Sequence, residues 1–149
     1  MKSAVQIKQG HSNKNRGIVS ELMVSAVLTK KGYQVLKPLD VTLPYDIVTI
    51  LNNKFEKLQI KTGKYEHGVI KTRVQKRKYI ANAQWELQPY SADEIDGFLV
   101  FCPELNKLFK VDVQKTSNKM DLYLRVDKTK NNQSKHVLWA KDYEIGSLT

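Results

Sequence analysis

Pro44-Tyr45-Asp46, the apolar run Ile47-Val48-Thr49-Ile50-Leu51, the turn Asn52-Asn53-Lys54 and then Leu58-Gln59-Ile60-Lys61-Thr62 are the residues that decide how this chain folds. Two stretches of strand-forming residues separated by a short Asn-rich turn predict a β-hairpin, with strands near 45–51 and 55–62. Residues two apart in a strand share a face, so Gln59 and Lys61 point one way while Leu58 and Ile60 point the other. With the turn centred on Asn53, residues whose numbers sum to about 106 lie opposite one another, which sets Asp46 across from the 59–61 segment. Polar groups from both strands then converge at one end of an apolar hairpin.

Working outward, the segment from Arg16 to Lys31 repeats Ile18, Val19, Leu22, Met23, Ala26 and Val27 at helical spacing, and Gly32 supplies a stop. On such a helix Glu21 has Gly17, Ile18, Val24 and Ser25 as its neighbours three and four positions away. A carboxylate among small and apolar side chains is expected to face inward, where it needs a partner, either Asp46, Lys61 or a bound cation. The donor set is that of a hard divalent ion: a carboxylate oxygen of Asp46, the carbonyl oxygen of Gln59 and the backbone carbonyl of Ile60, with Glu21 acting directly or through water. A metal so placed polarises a phosphoryl oxygen and activates water, and Lys61 would position that water or stabilise developing negative charge. Taken alone, Asp…Gln-x-Lys is a weak pattern, and solvated strand-end residues would give the same letters.

The remaining sequence bounds the class. A length of 149 residues predicts one domain, 1–149, with residues 1–16 as a basic N-terminal arm or first partial turn of helix. Lys+Arg number 25 against 15 Asp+Glu, a formal charge of +10, which favours a polyanionic partner. The single cysteine, Cys102, rules out an internal disulfide and reads as a buried strand-end residue in a reducing compartment. The polar start of the chain has no secretory h-region, and no apolar run is long enough to span a bilayer, so the expectation is an intracellular protein without membrane contact, in the cytoplasm, nucleoid or an organelle. His11, His67 and His136 lack metal-ligand spacing, and Trp85 and Trp139 are expected in core or interface.

Further strands are expected at Tyr33–Leu39, His67–Gln75, Ile95–Cys102, Lys107–Val113 and Leu122–Val126, with a second helix over Lys76–Gln88 carrying Tyr79, Ile80, Ala83 and Leu87. The order of helices and strands predicts an α/β class, a mixed β-sheet flanked by helices.

These residues resemble the PD-(D/E)XK nuclease superfamily, whose motif is Pro-Asp on one strand, Asp/Glu-x-Lys on the next, and a Glu on the preceding helix. Gly17-x-x-x-Glu21, Lys31-Gly32-Tyr33, Pro44-Tyr45-Asp46, Gln59-Ile60-Lys61-Thr62-Gly63, Gly68-Val69-Ile70, Ile95-Asp96-Gly97-Phe98, Cys102-Pro103-Glu104, Asn131-Asn132-Gln133 and Ala140-x-Asp142-Tyr143 are similar to the small group I intron-encoded homing endonucleases of that fold. The resemblance implies a restriction-endonuclease-like core and a Mg²⁺-dependent endonuclease, with Mn²⁺ as a substitute, acting on double-stranded DNA as a homo-oligomer, dimer or tetramer. It points to Glu21, Asp46, Gln59 and Lys61 as the catalytic set. Two departures stand out: Tyr45 intervenes between Pro44 and Asp46, and Gln59 replaces the second acidic residue, lowering the ligand charge by one. A restriction enzyme or Holliday junction resolvase of the same fold, and a non-catalytic DNA-binding relative, are the alternatives.

Candidate DNA contacts follow the hairpin. Lys64, Lys71, Arg73, Gln75, Lys76, Arg77 and Lys78 are opposed by Glu66 alone, and Lys71 and Arg73 would share one strand face, suited to phosphates or to guanine, with Gln75 suited to adenine. Lys128, Lys130 and Lys135, around Asn131-Asn132-Gln133, form a second basic loop. A charged, solvated strand edge or a surface loop would read the same way.

Overall fold

The computed structural model describes residues 12–131 and 134–148. The basic arm at residues 1–11 and the pair Asn132-Gln133 lie outside the described residues.

The helix α1, Asn13–Lys30, starts three residues before the expected point, because Ser12 caps it: its hydroxyl accepts from the backbone N–H of Asn15 at 3.2 Å. Lys14 and Arg16 therefore belong to the helix. At its other end Gly32, with φ +91°, turns the chain into the sheet. The buried stripe is Ser20, Val24, Val27 and Leu28, while Ile18, Val19 and Leu22 remain exposed.

The strands are β1 Gln34–Leu36, β2 Ile47–Leu51, β3 Lys54–Thr62, β4 Lys64–Glu66, β5 Val69–Arg73, β6 Gln75–Tyr79, β7 Trp85–Pro89, β8 Gly97–Cys102, β9 Lys107–Asp112, β10 Asp121–Arg125 and β11 Glu144–Gly146. Six of them form a mixed sheet in the order β1-β2-β3-β8-β9-β11, in which β3 and β8 run parallel and the other neighbours antiparallel. One face packs against α1 through Val24, Val27, Leu28, Ile47, Leu58, Ile60, Leu99 and Leu108. The opposite face, with Phe98, Val100, Phe109 and Val111, is covered by Ile70, Leu122 and Leu124 of a three-stranded sheet, β10-β5-β4. Three layers result: helix, mixed sheet, small sheet. The parallel joint between β3 and β8 is locked at its start by Asp96, whose carboxylate accepts from the Lys57 N–H at 2.7 Å while its own N–H donates to the Lys57 carbonyl at 2.8 Å.

The hairpin of β2 and β3 forms on a two-residue turn, Asn52-Asn53, with φ 51° and 61°. Both residues are left-handed, as a type I′ turn requires, and asparagine tolerates that conformation. Opposite residues sum to 105, as in Ile47 with Leu58, one less than the sequence expectation, so Asp46 lies level with Gln59.

The expected helix over Lys76–Gln88 is instead a second hairpin, β6 and β7, which pair with each other as a two-stranded sheet. The spacing of Tyr79, Ile80, Ala83 and Leu87 imitates a helical stripe. Cross-strand pairs decide the outcome: Tyr79 opposite Trp85 with rings 5.3 Å apart edge to face, and Arg77 opposite Leu87. Asn82 and Ala83, at φ 51° and 60°, make the turn. α1 is the one α-helix among the described residues. β1, β2, β3, β5, β8, β9 and β10 match the expected strands to within a few residues, β4 and β11 are additional to them, and Cys102 is buried at the end of β8 as expected. Trp85, by contrast, is exposed on the hairpin (57%) and contributes to no core cluster. Among the described residues no helix is long and apolar enough to cross a membrane.

Candidate active site

The alternation of β3 sends Leu58, Ile60 and Thr62 toward the helix and Gln59 and Lys61 toward the opposite face. Asp46, just ahead of β2, is fixed by its own backbone, whose N–H donates to the Leu58 carbonyl at 3.0 Å. Its Oδ2 accepts two bonds, from Gln59 Nε2 at 2.7 Å and from the Ile60 backbone N–H at 2.8 Å. With Oδ2 held this way, Oδ1 and the Gln59 carbonyl oxygen have no hydrogen-bond partner in the protein among the described residues. The hairpin register therefore brings Asp46, Gln59, Ile60 and Lys61 together.

Burial dominates the electrostatics here. It raises the Asp46 carboxyl above its usual value; the Ile60 N–H opposes this, Glu21 adds to it, and Lys61 and Lys37 counteract it. Burial likewise lowers the Lys61 ammonium, with Asp46 pulling the other way. Each charged group is thus held partly out of water and incompletely compensated.

Glu21 is near enough to act electrostatically on Asp46, but its carboxylate is taken by Lys37, at 3.0 Å, and is 40% exposed. Lys37 was not among the partners expected for it. Glu21, Lys37, Asp40, Tyr45 and Asp46 line a small cavity of about 210 Å³. Lys61 instead lines a cavity of about 600 Å³ together with Arg73, Gln75, Arg77, Trp85 and Glu86. An acidic recess and a basic one thus flank the line from Asp46 to Lys61.

The sequence-derived DNA contacts separate in space. Arg73, Gln75 and Arg77 face the basic cavity, Arg77 lies over the Trp85 ring at 5.9 Å, and the Gln75 side-chain oxygen is buried without a partner among the described residues. Lys78 is exposed on β6. Lys76 turns inward to pair with Glu94 and lies over the Tyr90 ring at 5.6 Å. Lys64 pairs with Glu66 at 3.5 Å, and Lys71 and Arg73 approach Asp121 at 3.8 and 3.5 Å. Lys128, Lys130 and Lys135 sit on the far loop, where Thr129 and His136 help line a groove with Tyr123 and Arg125. Tyr90 and Glu94 carry no local signal in the sequence, because the side chains they meet, Lys61 and Lys76, are brought to them only by the tertiary fold. Among the described residues no three His, Cys, Asp or Glu side chains cluster as a metal site, in keeping with an amide at position 59.

Comparison with known proteins bears on this geometry. No curated protein matches the chain. The structure matches that of a bacterial homing endonuclease, I-Ssp6803I, with a TM-score of 0.71 at 22% identity, covering 89% of this chain and 88% of the other. At that identity the likeness is one of fold. Residues 11–146, nearly the whole described chain, match the sequence profile of the PD-(D/E)XK endonucleases. The chain belongs to the PD-(D/E)XK endonuclease family.

Proposed function

We propose that the protein is a site-specific homing endonuclease that hydrolyses phosphodiester bonds in double-stranded DNA with a divalent metal. The observation that carries this reading is the Asp46 carboxylate, level with Gln59, beside Lys61 and partly withdrawn from water. A half-buried, undercompensated carboxylate with one oxygen unengaged suits a cation ligand. Asp46, the Gln59 carbonyl oxygen and the Ile60 backbone carbonyl would hold Mg²⁺ (or Mn²⁺), and Glu21, already engaged by Lys37, would act through water. When bound, such an ion polarises the phosphoryl oxygen and lowers the pKa of an attacking water. Lys61, which lines the basic cavity, would orient that water or donate to the oxygen that gains charge. Arg73, Arg77 and Lys78 would grip the backbone, and the hairpin of β6 and β7 is narrow enough for a two-stranded ribbon to enter the major groove.

The exposed Ile18, Val19 and Leu22 on α1 favour assembly as a homo-oligomer, dimer or tetramer, which would present two sites to two strands. A second reading, a non-catalytic DNA-binding relative, draws support from the amide of Gln59 occupying the usual place of an acidic ligand.

Incubation with a library of duplex DNA, together with plasmid and four-way-junction substrates, separates these readings. Metal-dependent, chelator-sensitive cutting at one long duplex site is expected. Asp46→Ala and Lys61→Ala should each lower the rate by more than about 100-fold while keeping the fold and DNA binding. Wild-type cutting in either variant overturns the assignment. Tight binding with no cutting of any substrate selects the binding module, whereas preferred cutting of junctions selects a resolvase.

A further inference from the structure

Lys61 is held in an unusual way for a half-buried lysine. No carboxylate lies within ion-pair distance of its ammonium among the described residues. Asp46 acts on it only at longer range. What lies against it is an aromatic face: Lys61 Nζ is over the Tyr90 ring, 5.4 Å from its centroid. We propose that Tyr90 is a positioning residue for Lys61, its ring face holding the ammonium at the reacting phosphate in place of a carboxylate. The inference rests on the role assigned to Lys61 above.

Three features support it. Tyr90 is itself anchored, edge-on to the fully buried Phe98 at 5.4 Å and 84°, and Phe98 is the register partner of Gln59 on the neighbouring strand. The ring is therefore fixed to the same pair of strands that carries the site. Its phenol is pushed up to about 12 by burial, with Asp46 and Glu94 contributing, so it stays a neutral π-surface over the range in which an enzyme would work. The second cation on the ring, Lys76 at 5.6 Å, is neutralised by Glu94 and adds little repulsion to Lys61.

The arrangement suits the chemistry. A carboxylate in ion-pair contact would saturate the ammonium and compete with a phosphate for it. An aromatic face attracts the cation while leaving its N–H donors free to turn toward an anion. Tyr90 also ties β6, through Lys76, to the strand bearing Lys61, so the DNA-contacting hairpin and the reacting amine share one support.

The test uses the full chain with ¹³C-labelled lysine, the Lys61 signals being identified by their loss in Lys61→Ala. In metal-free wild-type protein the Lys61 methylene protons should be shifted upfield by the ring, should stay shifted in Tyr90→Phe, and should lose the shift in Tyr90→Leu. Single-turnover cleavage at saturating DNA should fall by about 10- to 100-fold in Tyr90→Leu, stay within about threefold in Tyr90→Phe, and leave the DNA Kd of both nearly unchanged. Unshifted Lys61 protons in wild-type protein overturn the proposal even if Tyr90→Leu fails to fold. So does full activity in a folded Tyr90→Leu, or equal loss in the Phe and Leu variants. Should Lys61→Ala cleave normally while the ring shift is present, the assigned role of Lys61 fails and the placement of its side chain by Tyr90 stands.

Discussion

Asp46 concentrates the cost of building this site. Its carboxyl is raised by burial, and that direction already includes the attraction of Lys61 and Lys37. A carboxyl whose pKa is higher in the folded than in the unfolded chain contributes stability at low pH. It loses that contribution as pH rises through the folded value. At neutral pH the penalty for ionising Asp46 is complete, and the Ile60 N–H, Lys61 and Lys37 offset it only in part. Asp46→Asn imitates the protonated form, and its side-chain oxygen can still accept from Gln59 Nε2 and the Ile60 N–H. In chelator at neutral pH this variant should gain about 1 kcal/mol, a Tm rise of roughly 3 °C, while losing activity. The gain should fade toward acid, where the wild-type carboxyl is protonated as well. An unchanged or lower Tm at neutral pH, measured by thermal melting, would show that Asp46 is already adequately compensated by its neighbours.

At the scale of elements, the legible parts were those governed by local rules. Asn52-Asn53 forces a left-handed two-residue turn, that turn sets the register, and the register delivers Asp46 to Gln59. Those are steps a sequence encodes within a few residues. The hairpin of β6 and β7 shows the limit: from Tyr79 through the turn to Leu87 its sequence carries a period near four in Tyr79, Ile80, Ala83 and Leu87, and the strands themselves are mostly exposed. Pairing between the two strands selected the ribbon, and no single strand announces its partner. Tyr90 and Lys37 escaped notice for the same reason, since each reaches its partner, Lys61 or Glu21, across the tertiary fold. Gly97 marks another such constraint. It begins β8 at the parallel joint with β3, and a Cβ there would stand 2.7 Å from the Val111 carbonyl oxygen and 3.4 Å from the Asp112 Cα. Both obstacles are backbone of β9, which can yield only by moving the sheet. Gly97→Ala should therefore destabilise the protein by about 1–3 kcal/mol, lowering the urea midpoint at constant m-value. A wild-type midpoint would mean that β9 shifts freely and that the joint is looser than its hydrogen bonds to Asp96 imply.

Over the whole molecule, the surplus of ten positive charges becomes specific only through where they sit. Arg77 and Lys78 are exposed on β6 with no carboxylate at ion-pair distance among the described residues, whereas Lys76, immediately before them in sequence, is turned inward and neutralised by Glu94. If the hairpin lies along DNA, counterion release should follow the first two and ignore the third. Measured as the slope of log K against log salt in metal-free buffer, Arg77→Ala should flatten the dependence by about one, and Arg77→Ala with Lys78→Ala by about two. Lys76→Ala should leave the slope near that of the wild type although it removes the same formal charge. Equal effects at all three positions would show that DNA responds to net charge alone. A flattened slope for Lys76→Ala only would place the DNA on the opposite face of the hairpin, away from the basic cavity that Lys61 lines.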